Sequence, residues 1–183
     1  NSQFQLTNPL KIHRYNDPKR NNDNTSETLN NVLESIISKD DGIKLILILG
    51  RYYSDKKVID NSQHIIKHKK NEMDYVYNGN NNFKISFSTV HSSKGLEADY
   101  IIILNCNSGT YGFPSEISDD PLLNFLLSKS DRFPNGEERR LFYVAMTRAK
   151  REVHILSNKN YSSKFVKALN IEISRVQEEL HLD

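Results

Sequence analysis

Two short, uninterrupted apolar runs, Leu45-Ile-Leu-Ile-Leu49 and Tyr100-Ile-Ile-Ile-Leu104, constrain this chain more than any other feature. Neither alternates with polar residues, so neither can sit half-exposed at a sheet surface. A strand of this kind needs cover on both faces, as in a parallel sheet flanked by helices. The segment between residues 29 and 37 supplies such cover. Leu29, Val32, Leu33, Ile36 and Ile37 recur at helical spacing and form one stripe. Thr25 or Ser26 is the expected N-cap of that helix, Glu27 suits its first turn, and Asp41-Gly42 closes it.

The remaining chain reads as a continuation of the same alternation. Residues 11–15 and 84–88 alternate as strands, and 152–156 form a last strand. Residues 54–70 read as a helix with Val58, Ile59, Ile65 and Ile66 turned inward, and the Asn-rich stretch 71–82 reads as loop. Residues 105–136 are irregular, with one helix expected at 122–127. Residues 137–150 and 162–169 read as helices. Strands alternating with helices imply an α/β domain with a mostly parallel sheet. There is no internal repeat and no interdomain linker, so residues 1–183 are expected to form one domain. In such sheets ligands gather at strand ends, which directs attention to the residues after each strand.

Composition narrows the function classes. Lys+Arg 25 against Asp+Glu 23 gives 25 − 23 = +2, which excludes a wholly basic nucleic-acid coat but not a local basic site. Cys106 is the one cysteine, so an internal disulfide and a multi-cysteine zinc site are both excluded; its place after an apolar strand marks it as packing. No apolar run reaches the roughly 18–20 residues of a membrane span. The sequence opens on Asn-Ser-Gln-Phe-Gln, without Met and without a secretory pattern. A partial chain, cytoplasmic and with no membrane partner, is the expectation.

Three segments carry chemistry. Gly50-Arg51-Tyr52-Tyr53 follows an apolar strand and puts an arginine at its end. Thr89-Val-His-Ser-Ser-Lys-Gly-Leu-Glu97 gathers hydroxyls, an imidazole, a lysine, a glycine and a carboxylate in nine residues. Hydroxyl, lysine and glycine together suit phosphate contact, although a polar turn would also use them. Glu137-Glu-Arg-Arg-Leu-Phe-Tyr-Val-Ala-Met-Thr-Arg-Ala-Lys150 reads as one helix. At 100° per residue, Arg148 extends the stripe of Leu141, Val144 and Ala145. An arginine there needs an anion, either an internal carboxylate or an arriving phosphate. His64 and His68 share a helical spacing but have no third ligand nearby, and residues 67–70 form a short basic run; both read as solvated surface.

These segments resemble superfamily 1 helicases of the UvrD/Rep class, and within it the helicase IV branch. Residues 89–97 resemble motif V, residues 137–150 resemble motif VI, and residues 45–53 end like motif IV. Gly109-Thr-Tyr-Gly-Phe-Pro114 fits the same branch. The resemblance implies a RecA-like, P-loop-NTPase-type three-layer domain, the C-terminal 2A half of a two-domain motor. The 1A half would carry the Walker motifs. No pair among the 7 glycines here has the Gly-x-x-x-x-Gly-Lys spacing, so this chain lacks a Walker A loop and is expected to be inactive alone.

By the same resemblance, Arg51 and Arg148 are the two fingers that converge on the γ-phosphate of ATP held with Mg²⁺ by the 1A domain. Such arginines contribute about 10³–10⁵ in rate in related phosphoryl-transfer enzymes. Gly95 and Glu97 would face the nucleotide, with Glu97 on the ribose. Thr89, His91 and Lys94 would touch the backbone of single-stranded or partially duplex DNA. The full-length protein would be an ATP-dependent 3′–5′ DNA helicase. A remodeller of protein–nucleic acid complexes using the same domain pair, or a stand-alone nucleic-acid-binding module, remain alternatives. Gly50 stands where many members place an aromatic residue that stacks on adenine; Tyr52 and Tyr53 follow it. Residues 54–82 are too few for the 2B subdomain that many members insert, so 2B is expected to be absent or vestigial.

Overall fold

The two apolar runs lie side by side in the centre of one sheet. A computed structural model describes residues 10–17, 23–39, 42–67, 73–78, 80–116 and 135–180. In chain order the elements are β1 (Leu10–Tyr15), α1 (Asp23–Ile37), β2 (Lys44–Gly50), a 3₁₀ turn (Tyr53–Lys56), α2 (Lys57–Asp60), β3 (Ile65–Lys67), β4 (Asp74–Tyr77) and β5 (Asn80–Thr89). A second 3₁₀ turn (His91–Ser93), β6 (Ala98–Ile103), α3 (Gly136–Met146), β7 (Ala149–Asn158) and α4 (Lys164–Leu180) complete it.

The seven strands are ordered β1-β7-β6-β2-β5-β4-β3. The pairs β1–β7, β7–β6, β6–β2 and β2–β5 are parallel, and β5–β4 and β4–β3 are antiparallel. Each face of the sheet has its own core. On one, Leu29, Val32, Leu33 and Ile36 of α1 and Val58 and Ile59 of α2 pack on Ile46, Ile48, Ile85 and Ile102. On the other, Phe142 and Ala145 of α3 and Phe165 and Val166 of α4 pack on Leu47, Leu49, Ile101, Ile103 and Ile155. Alternate residues of β2 and β6 therefore feed opposite cores, which is why both strands are apolar throughout. Helix–sheet–helix layering agrees with the α/β class expected from the sequence.

Four local expectations are corrected. Residues 54–70 are not one helix: a single turn ends at Asp60, and Ile65 begins β3. His64 consequently precedes a strand rather than sharing a helix with His68, which lies outside the described residues. The Asn-rich stretch contains β4 and the start of β5. Helix α1 begins at Asp23, so Thr25 and Ser26 lie inside its first turn and are buried; Ser26 Oγ donates to Val58 O at 2.8 Å instead of capping. Helix α3 ends at Met146; of the expected stripe Ala145 is buried and Leu141 packs half-buried against the core, and Glu138 and Phe142 complete the buried face. Arg148 thus lies in the turn before β7, and Lys150 and Arg151 belong to that strand. The helix expected at 122–127 falls outside the described residues. Cys106 is fully buried, and burial pushes its thiol well above the usual range, in keeping with a packing role. Among the described residues no helix is long and apolar enough to cross a membrane.

Candidate nucleotide and nucleic-acid site

Strand direction divides the motif residues between the two edges of the sheet. Residues 89–97 leave β5 and enter β6, which runs parallel to it through β2. The connection must therefore cross from the carboxyl edge to the amino edge. Thr89 and His91 stay at the carboxyl edge, beside Gly50, to whose carbonyl Val90 N donates at 2.9 Å. Glu97 reaches the amino edge, just before Ala98, and Gly95 follows Lys94 along the crossover. Lys94 lies between, exposed, with no ion pair among the described residues.

At the amino edge, Ala98 N donates to Arg148 O at 3.1 Å, which places the motif VI arginine beside the end of motif V. Arg148 Nε donates to Val144 O at 3.0 Å, and a second guanidinium nitrogen lies 3.5 Å from Thr147 Oγ1. Among the described residues no carboxylate pairs with Arg148. Glu97 and Lys150 form an exposed ion pair at 3.6 Å. Gly95 has φ +85°, and a side chain there would meet nothing within 4 Å. The glycine is needed for its backbone conformation, and the space above it is open.

The carboxyl edge is built around Arg51. Its Nε lies 3.0 and 3.1 Å from the two carboxylate oxygens of Glu138, and its Nη2 also donates to Oε1. The two side chains are 15% and 12% exposed. Burial works against the Arg51 charge, but the Glu138 hydrogen bonds and charge outweigh it and hold the guanidinium above its usual range. Nη1 faces His91 Nδ1 at 3.3 Å, and the guanidinium stacks 4.9 Å from the Tyr52 ring centroid. Tyr52 meets Tyr111 edge-on, and its hydroxyl donates to Ser115 Oγ at 2.6 Å. Thr89 Oγ1 donates to Ser92 Oγ at 3.0 Å, and His91 Nε2 lies 3.9 Å from Glu137.

The expected convergence of Arg51 and Arg148 on one rim is not met. Arg51 follows the carboxyl end of β2, level with Ile103 and Ile155, whereas Arg148 precedes the amino end of β7. About 20 Å of strand lies between those levels. Nor is Arg51 unpaired, because Glu138 holds it. Spacing along the chain could not reveal this, since it does not say which strand end each segment serves. Glu138 itself was legible only as one of two acids opening a helix. Gly50 also has a local reason: a Cβ there would come within 2.6 Å of Asp55 Cβ and 2.9 Å of Tyr52 O. No aromatic residue fits.

Among the described residues no three His, Cys, Asp or Glu side chains cluster as metal ligands.

Comparison with known proteins gives consistent relatives. The chain is 44% identical over 91 residues to DNA helicase IV of Escherichia coli K12, a match covering 49% of this chain and 13% of that protein. It is 35% identical over 100 residues to a probable DNA helicase II homolog of Mycoplasma capricolum, covering 49% of this chain and 12% of that protein. It is 36% identical over 70 residues to the ATP-dependent DNA helicase Rep of Buchnera aphidicola, covering 38% of this chain and 9% of that protein. These matches therefore span only about an eighth or less of each relative's length. A solved structure, the C-terminal domain of a possible DNA helicase from Lactobacillus plantarum WCFS1, matches with a TM-score of 0.48 at 15% identity, covering 85% of this chain and 75% of that one. The family model for the UvrD-like helicase C-terminal domain matches residues 12–160, so the chain belongs to that family.

Proposed function

We propose that this chain is the C-terminal motor domain of an ATP-dependent 3′–5′ DNA helicase, working with a nucleotide-bearing 1A domain of the same parent protein. The observation that carries this reading is the crossover at 89–97, which joins two chemically different edges. Its imidazole faces the Arg51 guanidinium at 3.3 Å, and its far end, just past Glu97, meets the Arg148 backbone through Ala98 N.

In this reading the amino edge faces the nucleotide. Arg148, with neutral partners only among the described residues, retains its full charge for the γ-phosphate and stabilises the charge that develops on the phosphoryl oxygens. Glu97 accepts from ribose hydroxyls, and Gly95 allows close approach of the nucleotide. Mg²⁺, when bound with the nucleotide on the 1A domain, would supply charge neutralisation of the phosphates; among the described residues this chain offers no ligand cluster for it. The carboxyl edge faces the DNA. Thr89, His91 and Lys94 meet the strand backbone without reading bases, which suits movement along any sequence. Arg51 joins this group and leaves the finger role to Arg148. Closure of the two domains brings Arg148 to the phosphate, so nucleotide binding and domain movement become one event.

The test is Arg148→Ala in the full-length protein. ATP turnover is expected to fall about 10³-fold or more, with single-strand binding retained. Wild-type turnover in that variant would remove the finger role. Strand displacement on substrates with a 3′ or a 5′ tail checks the helicase activity and its polarity, and the isolated chain is expected to hydrolyse no ATP.

A further inference from the structure

Glu138 touches three segments at once. Its carboxylate grips Arg51 after β2 through Nε and Nη2 and accepts from Ser115 N at 3.0 Å in the segment after β6, while its own backbone lies in the first turn of α3. The grip is a fork: two nitrogens of one planar group meet one carboxylate, which fixes the plane and leaves Nη1 on the open side toward His91. A buried ion pair is weak evidence of stabilisation, because an apolar pair of similar volume often serves as well. What the fork supplies is direction.

The same helix reaches the other edge. Helix α3 has 11 residues and is about 16 Å long, with Glu138 in its first turn and Arg148 two residues past its end. Phe142 and Ala145 bury its middle, so one packed helix spans the distance between the two edges. We infer that Glu138 is a positioning residue: it aims Arg51 at the strand backbone and, through α3, ties that arginine to the engagement of Arg148 with nucleotide. The inference rests on the reading of the two edges given above. A lysine at position 51 would keep the charge but could not be held at two points, and a glutamine at 138 would keep the shape but lose the charge.

The experiment uses the full-length protein, an oligo-dT strand and a non-hydrolysable ATP analogue. The strand Kd is measured with and without analogue, and the analogue Kd with and without strand. In the wild type both ratios are equal and depart from one, within the roughly 5–150-fold range of coupled sites. Glu138→Gln and Arg51→Lys each bring both ratios toward one. The double variant is no worse than either single one, because both break the same contact. A role in folding alone would lower the Tm without moving these ratios. If Glu138→Gln fails to fold, Arg51→Lys decides, since it alters no residue of α3. Coupling kept in a folded variant, or losses that add in the double variant, overturns the inference. A wild type that binds strand without coupling overturns it too, while leaving the DNA reading intact. A wild type that binds no strand removes both.

Discussion

His154 is 1% exposed, yet both of its ring nitrogens are engaged. Nδ1 lies 2.9 Å from His13 Nε2, and Nε2 lies 3.1 Å from a Glu152 oxygen that also accepts from Lys11 Nζ at 2.6 Å. The two imidazoles stack at 5.1 Å, across the β1–β7 pair. Burial lowers the His154 pKa to about 4, with the His13 charge adding to the effect and Glu152 opposing it. His13 is lowered as well, by burial first and then by Lys11. In the unfolded chain a histidine takes its proton near pH 6.5. Between about 4 and 6.5 the unfolded state therefore binds more protons than the folded one. Stability is full above pH 6.5 and declines as pH falls toward 4. The urea midpoint is expected to drop between pH 7 and pH 5, and His154→Gln to flatten that drop. A midpoint equally steep in the variant would show that other groups cause it.

At the scale of elements, aromatic packing docks α3 on the sheet. Phe142 meets Phe113 edge-on at 5.2 Å and Phe165 at 5.3 Å. Truncating it opens a cavity between the two remaining rings, so Phe142→Ala is expected to cost about 3–5 kcal/mol in urea unfolding. A loss below about 1 kcal/mol would mean that α3 docks by other contacts. This packing also explains where sequence reasoning failed. Strands β2 and β6 were legible because an unbroken apolar run has one stable environment in this architecture. The wheel drawn on residues 137–150 misplaced Arg148, because nothing in the periodicity marks the end at Met146; pairing of Ala149 with Ala98 converts the following residues to strand. Ile65 and Ile66 fitted a helical stripe as well as they fit β3, since two adjacent apolar residues satisfy either period. The Asn-rich composition of 71–82 hid β4, where Tyr75 is buried. Motif residues were found by type, but which edge each serves depends on strand direction, and that exists only in the folded sheet.

For the whole molecule, the near-neutral net charge of +2 means that any strand affinity comes from local placement of cations rather than from a global field. Arg51 is already balanced by Glu138, and His91 lies close to Glu137. Lys94 differs: it is exposed, midway along the crossover, with no ion pair among the described residues. A cation in that position adds a full counterion-release contribution when it meets a backbone phosphate. In the full-length protein, Lys94→Ala is expected to weaken oligo-dT binding and to reduce the slope of log K against log salt by about 0.7, the value for one phosphate contact on a single strand. Arg148→Ala, at the far edge, is expected to leave that slope unchanged. Two slopes altered equally would mean that one surface serves both ligands, and the division of this domain into a strand edge and a nucleotide edge would fall. An unaltered slope in Lys94→Ala would instead place the strand away from Lys94, along the rim of Thr89 and His91 alone.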